Sequence, residues 1–227
     1  MSAHATSASV RERLEQVRIY LITGAHPRVQ PLEQLVREAI AGGVGMVQLR
    51  EKTMSDAELL DVARRCAAAC ATAGVPFIVN DRVDVALACG ADGVHLGQDD
   101  MPVADARRLG GSAFIIGLST HSREQIDEAA RSAADYIGVG PIHATPTKAG
   151  RAAVGTGLVR YAAAHAAMPF FAIGGIDADN VAAVVREGAR GISVLRAISE
   201  ADEPRAGARA LLDRIEQASG VRAGAGR

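Results

Sequence analysis

The chain has 227 residues and a formal net charge of −1; 48% of it is hydrophobic, 3% is aromatic, and it has no tryptophan. The length allows one large domain or two small ones, and the near-neutral charge argues against a general nucleic-acid binder, so any anion site must be built locally. No stretch approaches the roughly 20 apolar residues of a membrane span, and residues 1–16 lack the apolar run of a secretory signal. A soluble, cytoplasmic protein is expected. Its core should be mostly Ala, Val, Ile and Leu, which suits helices packed on a parallel sheet. Three cysteines, an odd number, do not suggest a disulfide framework. Cys66, Cys70 and Cys89 read as small buried hydrophobes rather than as metal ligands.

Residues 1–17 read as a flexible segment, 18–219 as one domain and 220–227 as a flexible tail. The first strand is Arg18-Ile-Tyr-Leu-Ile-Thr-Gly24, and Pro31 opens a helix that runs to Ala41 and stops at Gly42-Gly43. Met46-Val-Gln-Leu-Arg50 is the second strand. Ser55 and Glu58 form a capping box for a helix whose Leu59, Val62, Ala63, Cys66 and Cys70 share one face. Pro76 precedes the third strand, Phe77–Asn80, and a short helix covers about 84–88. Gly93–Gly97 is the fourth strand, with a helix from Pro102 to Leu109. Ala113–Leu118 is the fifth, and Ser122 with Gln125 caps the helix after it. Tyr136–Gly140 is the sixth, followed by a helix over about 158–167. Phe170–Gly174 is the seventh, and Asp177 starts a helix. Gly191–Leu195 is the eighth, and a helix over Pro204–Ala218 closes the chain. Eight strand–helix units with no linker between them predict an α/β fold, a single (β/α)₈ barrel, with an open doubly wound sheet as the alternative.

In such barrels the active site lies at the carboxyl ends of the strands, and polar residues collect there. Side chains alternate along a strand, so if helices cover Val47 and Leu49, Gln48 and Arg50 point into the mouth and Lys52 can follow. The third strand ends in Asn80-Asp81, and the fourth runs into Gln98-Asp99-Asp100. Asp81 would also suit a helix N-cap. Carboxylates from two neighbouring strand ends, close to Arg50, Lys52 and Lys148, make better sense as Mg²⁺ ligands facing a phosphorylated substrate, since Mg²⁺ favours one or two carboxylates plus phosphate oxygens. Ser119-Thr120-His121 adds donors after the fifth strand.

The loop Gly140-Pro-Ile-His-Ala-Thr-Pro-Thr-Lys-Ala-Gly150 carries Thr145, Thr147 and Lys148 on backbone stiffened by two prolines, and suits an anion. Gly174-Gly175 and Leu195-Arg196 end the seventh and eighth strands, where barrels commonly meet a phosphate with bare backbone N–H groups. The mouth thus reads as two anion sites and one metal site. No Ser/His/Asp pattern, Cys–His nucleophile or Schiff-base lysine stands out. A metal-bound diphosphate leaving group and a second phosphorylated substrate fit this layout.

Six motifs in order, Gln48-Leu-Arg-Glu-Lys52, Val79-Asn-Asp81, Gly93-Val-His-Leu-Gly-Gln98, Gly117-Leu-Ser-Thr-His121, Gly140-Pro with Thr145-Pro-Thr-Lys148, and Ile173-Gly-Gly-Ile176, resemble the thiamine-phosphate synthase family over about 18–198. Its members are (β/α)₈ barrels that join 4-amino-2-methyl-5-hydroxymethylpyrimidine diphosphate to a thiazole phosphate and release diphosphate. The resemblance implies that Gln48, Arg50, Lys52 and Asn80 hold the pyrimidine diphosphate and that Asp81 and Asp100 bind Mg²⁺. It further implies that Ser119 and Lys148 contact the pyrimidine or diphosphate, and that Thr145, Thr147, Gly175, Leu195 and Arg196 form the thiazole phosphate side. Arg50, Lys52, Ser119 and Lys148 would then be the catalytic set. The chain departs from the pattern in two places. Many members have Ile/Val-Ser where it has Leu195-Arg196, and an aromatic and a Pro where it has His143-Ala144.

For such a reaction, loss of diphosphate would leave a pyrimidine methylene cation that the thiazole nitrogen attacks. Leaving-group electrostatics and alignment should carry the rate, with no general base needed for bond formation. Two other functions share the barrel: a thiazole tautomerase, which would need an acid/base group and neither metal nor diphosphate ligands, and a non-catalytic thiazole phosphate sensor. Partners are expected to be small phosphorylated molecules, with no nucleic acid and no membrane. The sequence leaves open whether the chain forms a homo-oligomer and whether its thiazole carries a carboxylate.

Overall fold

A computed structural model describes residues 7–28, 30–145 and 152–220. Eight parallel strands close into a barrel in sequence order: β1 Ile19–Thr23, β2 Met46–Leu49, β3 Phe77–Asn80, β4 Gly93–Leu96, β5 Ile115–Thr120, β6 Tyr136–Val139, β7 Phe170–Ile173 and β8 Gly191–Val194. β8 returns to β1 with Ile192 opposite Ile19, which excludes the open sheet. The helices are α1 Ser7–Gln16, α2 Leu32–Ala41, α3 Asp56–Ala73, α4 Val83–Cys89, α5 Val103–Gly110, α6 Arg123–Ala129, α7 Thr156–His165, α8 Val181–Arg186, α9 Arg196–Ser199 and α10 Pro204–Ser219. Among the described residues no helix is long and apolar enough to cross a membrane.

Local chemistry accounts for the helix ends. Ser55 and Glu58 cap α3 reciprocally, and Gly74 ends it in the left-handed conformation, φ 67°, which costs glycine little. Ser122 Oγ accepts from Gln125 N to start α6. At Asp177 the expected helix start is displaced: the Asp177 carboxylate accepts the N–H groups of Asp179 and Asn180, forming a turn, and α8 begins only at Val181. Two helices had no sequence-based counterpart. These are α1, which lies within residues 1–17, and α9, a single turn directly after β8.

Strand alternation divides the interior in two. Val47, Leu49, Phe77, Val79, Val94, Leu96, Ile116 and Ile192 belong to the apolar layer between strands and helices, together with Cys66 and Cys70 of α3. Both thiols are buried, and burial pushes the Cys66 pKa up to about 12, as expected of inert core cysteines. A separate cluster of Leu14, Val17, Tyr20, Met46, Ile78, Ile115, Tyr136 and Phe171 fills the barrel. Tyr20, Tyr136 and Phe171 meet edge to face with ring centroids 5.4–5.8 Å apart, a favoured aromatic geometry. Glycine makes room for them: a Cβ on Gly117 would come within 2.2 Å of the Tyr136 ring, and one on Gly191 within 2.7 Å of Phe171.

Candidate active site

The carboxyl ends of the strands carry the polar residues, as the alternation requires. Gln48 and Asn80 are buried at the ends of β2 and β3. The Gln48 Nε2–H donates to the Tyr20 hydroxyl, so Gln48 is part of the barrel's polar floor. Asn80 Nδ2 is buried with no hydrogen-bond partner among the described residues. An orphaned buried donor is costly, and its position at a strand end marks it for an acceptor supplied from outside.

Next to it, Asp81 adopts φ 62°, a left-handed conformation uncommon outside glycine and tolerated best by Asn and Asp. The turn is held by the Asp81 N–H on His95 O at 2.8 Å and the Arg82 N–H on Asn80 O at 2.7 Å. Asp81 does not serve as a side-chain cap for α4, whose N-cap position is Arg82 without a side-chain bond. Burial, and then the neighbouring Asp100 carboxyl, push the Asp81 pKa up, against the opposing pull of Lys52. The Lys52 ammonium stands 3.1 Å from the Asp81 carboxylate. Asp100 is steadied by the Gly97 N–H at 2.6 Å, and a Cβ on Gly97 would come within 2.9 Å of its carboxylate.

Lys52 owes its position to Glu51. That carboxylate accepts the N–H groups of Lys52 and Thr53 and the Thr53 hydroxyl, at 2.7, 3.1 and 2.9 Å. Partial burial works against the ionised form, but these donors outweigh it and hold the Glu51 pKa below its ordinary value.

Two residues back along the same strand end, Arg50 lines a cavity of about 330 Å³ together with Thr145, Gly174, Gly175, Leu195, Arg196 and neighbouring residues. One wall is the β7 loop, where Gly174 and Gly175 have φ of 106° and 62°. A Cβ on Gly175 would stand 2.8 Å from His143 Cβ and 3.0 Å from Ala144 O, so only glycine lets the β6 and β7 loops lie this close. Backbone bonds from Ile142 to Ile173 and from His143 to Gly174, 2.8 and 3.0 Å, fasten the two loops together. Asn180 Nδ2 clasps the Gly175 carbonyl at 2.8 Å. The other wall is the start of α9, where Arg196 is exposed and Leu195 half-buried. Thr147 and Lys148 lie outside the described residues.

Ser119 belongs to β5 rather than to the loop after it, because the strand runs Ile115–Thr120, two residues later than the sequence predicted. Gln98 Nε2 holds its carbonyl at 2.6 Å. Its hydroxyl lies 2.9 Å from His95 Nε2, and His95 Nδ1 lies 3.1 Å from the Tyr136 hydroxyl. Sequence reasoning passed over Tyr20, Tyr136 and His95. Yet the alternation that turns Gln48 inward also turns Tyr20 and His95 inward, and the glycines at 117 and 138 on neighbouring strands mark the space those rings occupy.

The closed (β/α)₈ barrel thus joins a carboxylate pair, an ammonium and an arginine-lined, glycine-walled cavity at the carboxyl ends of its strands, where barrels of this class carry their sites. The profile of the thiamine monophosphate synthase family matches residues 19–198, and the chain belongs to that family. It is similar to a thiamine-phosphate synthase of Gloeobacter violaceus, 48% identical over 204 residues, which cover 90% of this chain and 59% of that protein. A thiamine-phosphate synthase of Shouchella clausii is 46% identical over 209 residues, 91% of this chain and 100% of that one. The chain thus spans little more than half of the Gloeobacter violaceus relative but the full length of the other. Among solved structures, a thiamine phosphate pyrophosphorylase from Pyrococcus furiosus superimposes with a TM-score of 0.82 at 34% identity, over 91% of this chain and 98% of that one.

Proposed function

We propose that this chain is itself a thiamine-phosphate synthase, a transferase that joins 4-amino-2-methyl-5-hydroxymethylpyrimidine diphosphate to a thiazole phosphate with release of diphosphate. The observation that carries the reading is the double role of the β2 end. Lys52 meets the Asp81 carboxylate at 3.1 Å, while Arg50 lines the neighbouring cavity. Two subsites that share one strand end suit two phosphorylated substrates that must meet.

The donor set fits Mg²⁺. Burial first, and then the neighbouring Asp100 carboxyl, raise the Asp81 pKa, and a hard cation relieves such a pair while leaving room for phosphate oxygens. When bound, it would supply positive charge toward the leaving diphosphate. The remaining work falls to the chain. The orphaned Asn80 Nδ2 and the Lys52 ammonium would hold the pyrimidine diphosphate. Arg50, which lines the neighbouring cavity, would reach the same diphosphate, while Thr145, the Gly175 backbone and Arg196 would hold the thiazole phosphate and align the thiazole nitrogen with the reacting carbon. Proximity and charge stabilisation then lower the barrier without a protein nucleophile. A tautomerase or a passive sensor would leave the carboxylate pair without a role.

The experiment is to incubate the protein with both substrates, with and without Mg²⁺, and to follow thiamine phosphate and diphosphate. Stoichiometric formation of both, dependent on Mg²⁺, is expected. Isomerisation of a thiazole, or binding without turnover, would replace this reading.

A further inference from the structure

A line of buried polar groups crosses the barrel beneath the mouth. Gln48 Nε2 meets the Tyr20 hydroxyl, which lies 2.8 Å from the Tyr136 hydroxyl. That hydroxyl lies 3.1 Å from His95 Nδ1, and His95 Nε2 lies 2.9 Å from Ser119 Oγ. All five residues are buried. Burial pushes the pKa of both phenols up, so each keeps its single proton at any working pH. With a neutral imidazole at His95, the number of hydrogens along the line is fixed, and so is their direction.

The amide nitrogen of Gln48 can only donate. The Tyr20 proton, with a donor on one side, must go to Tyr136. The Tyr136 proton, with Tyr20 already donating to it, must go to His95 Nδ1. A ring that accepts at Nδ1 carries its hydrogen on Nε2 and donates it to Ser119 Oγ. Ser119 then has its own proton left over for a group in the mouth.

We propose that His95 is a positioning residue: the line Gln48–Tyr20–Tyr136–His95 fixes its imidazole as the Nε2–H tautomer and thereby holds the Ser119 hydroxyl as a hydrogen-bond donor toward the substrate. Ser119 gives up no proton; it offers one hydrogen bond to charge that grows on the leaving group. The kinetic part rests on the proposed synthase reading, whereas the tautomer does not.

The test begins with the imidazole ring ¹⁵N spectrum of the full-length protein, with the His95 signals identified by their loss in His95→Gln. Wild type should carry the hydrogen on Nε2, and Gln48→Leu and Tyr136→Phe should lose that strict preference. A hydrogen on Nδ1 in wild type would mean that the line runs the other way, with Ser119 donating to His95, and would overturn the proposal whether or not the protein is a synthase.

Kinetically, Tyr136→Phe keeps the ring and removes one hydrogen bond. It should lower kcat about three- to tenfold, the effect of one neutral hydrogen bond, with KM nearly unchanged. His95→Gln retains an N–H within reach of Ser119 and should keep more of kcat than His95→Leu. In a Ser119→Ala background the Tyr136→Phe effect should vanish, since the line then has nothing to orient. Equal effects with and without Ser119 would reduce the line to a packing role and overturn the proposal.

Discussion

The Lys52 ammonium lies 3.1 Å from the Asp81 carboxylate, yet the pair does not relieve that carboxylate: burial and Asp100 outweigh Lys52, and the Asp81 pKa stays raised. A carboxyl whose pKa is raised by folding contributes stability that is fully present below its unfolded value, about 3.9, and lost as pH rises through the folded value. Asp81→Asn mimics the protonated form and tolerates the positive φ. In chelator-treated protein it should melt higher than wild type near neutral pH, by about 2–4 °C if ~1 kcal/mol is recovered in a domain of this size. The gap should close toward pH 4. A variant that melts lower than wild type at neutral pH would show that the ion pair, not the repulsion, dominates.

The same two carboxylates should set the metal requirement. Asp81→Asn and Asp100→Asn should each lower turnover strongly and raise the Mg²⁺ concentration needed, with the circular dichroism of the fold intact. Activity close to wild type at low Mg²⁺ in both variants would end the assignment.

Arg50 lines the cavity two residues before Lys52. Its removal in Arg50→Ala should lower kcat together with kcat/KM, by about 10²–10³ if the charge is matched to the transition state. A rise in KM alone, measured for each substrate in turn, would instead make Arg50 a uniform binder.

Arg196 lines the cavity from the first turn of α9. A guanidinium there can bind a phosphate through charged hydrogen bonds worth ~1.5–3 kcal/mol. Arg196→Ser should raise KM for the thiazole phosphate about tenfold or more and leave that for the pyrimidine diphosphate nearly as it was. An unchanged thiazole KM would leave the phosphate to the backbone alone.

Gly175 has φ 62°, and a Cβ there would press on His143 and Ala144. Gly175→Ala should cost ~1–3 kcal/mol of stability, visible as a lower melting temperature, and should weaken thiazole phosphate binding by parting the β6 and β7 loops. Unaltered melting and binding would show that the loops move apart freely.

The barrel was legible because eight apolar runs alternate with helical periodicity, and Gln48 could be placed because Val47 and Leu49 flank it. What escaped was set by tertiary contact. Ser119 lies just beyond the apolar run that marks the fifth strand, and its environment, the His95 ring 24 residues earlier, leaves no local trace. α9 is one turn and carries no periodicity. Leu14 and Val17 read as part of a flexible segment because the surfaces they bury against, Met46, Ile115 and Phe171 among them, come from distant strands.

Those two residues have a consequence for traffic through the molecule. Leu14 and Val17 are buried to 1% and 6% exposure beneath Tyr20, Met46 and Phe171, so among the described residues the barrel is a blind well, stoppered at its amino end. Everything that enters by the rim must also leave by the rim.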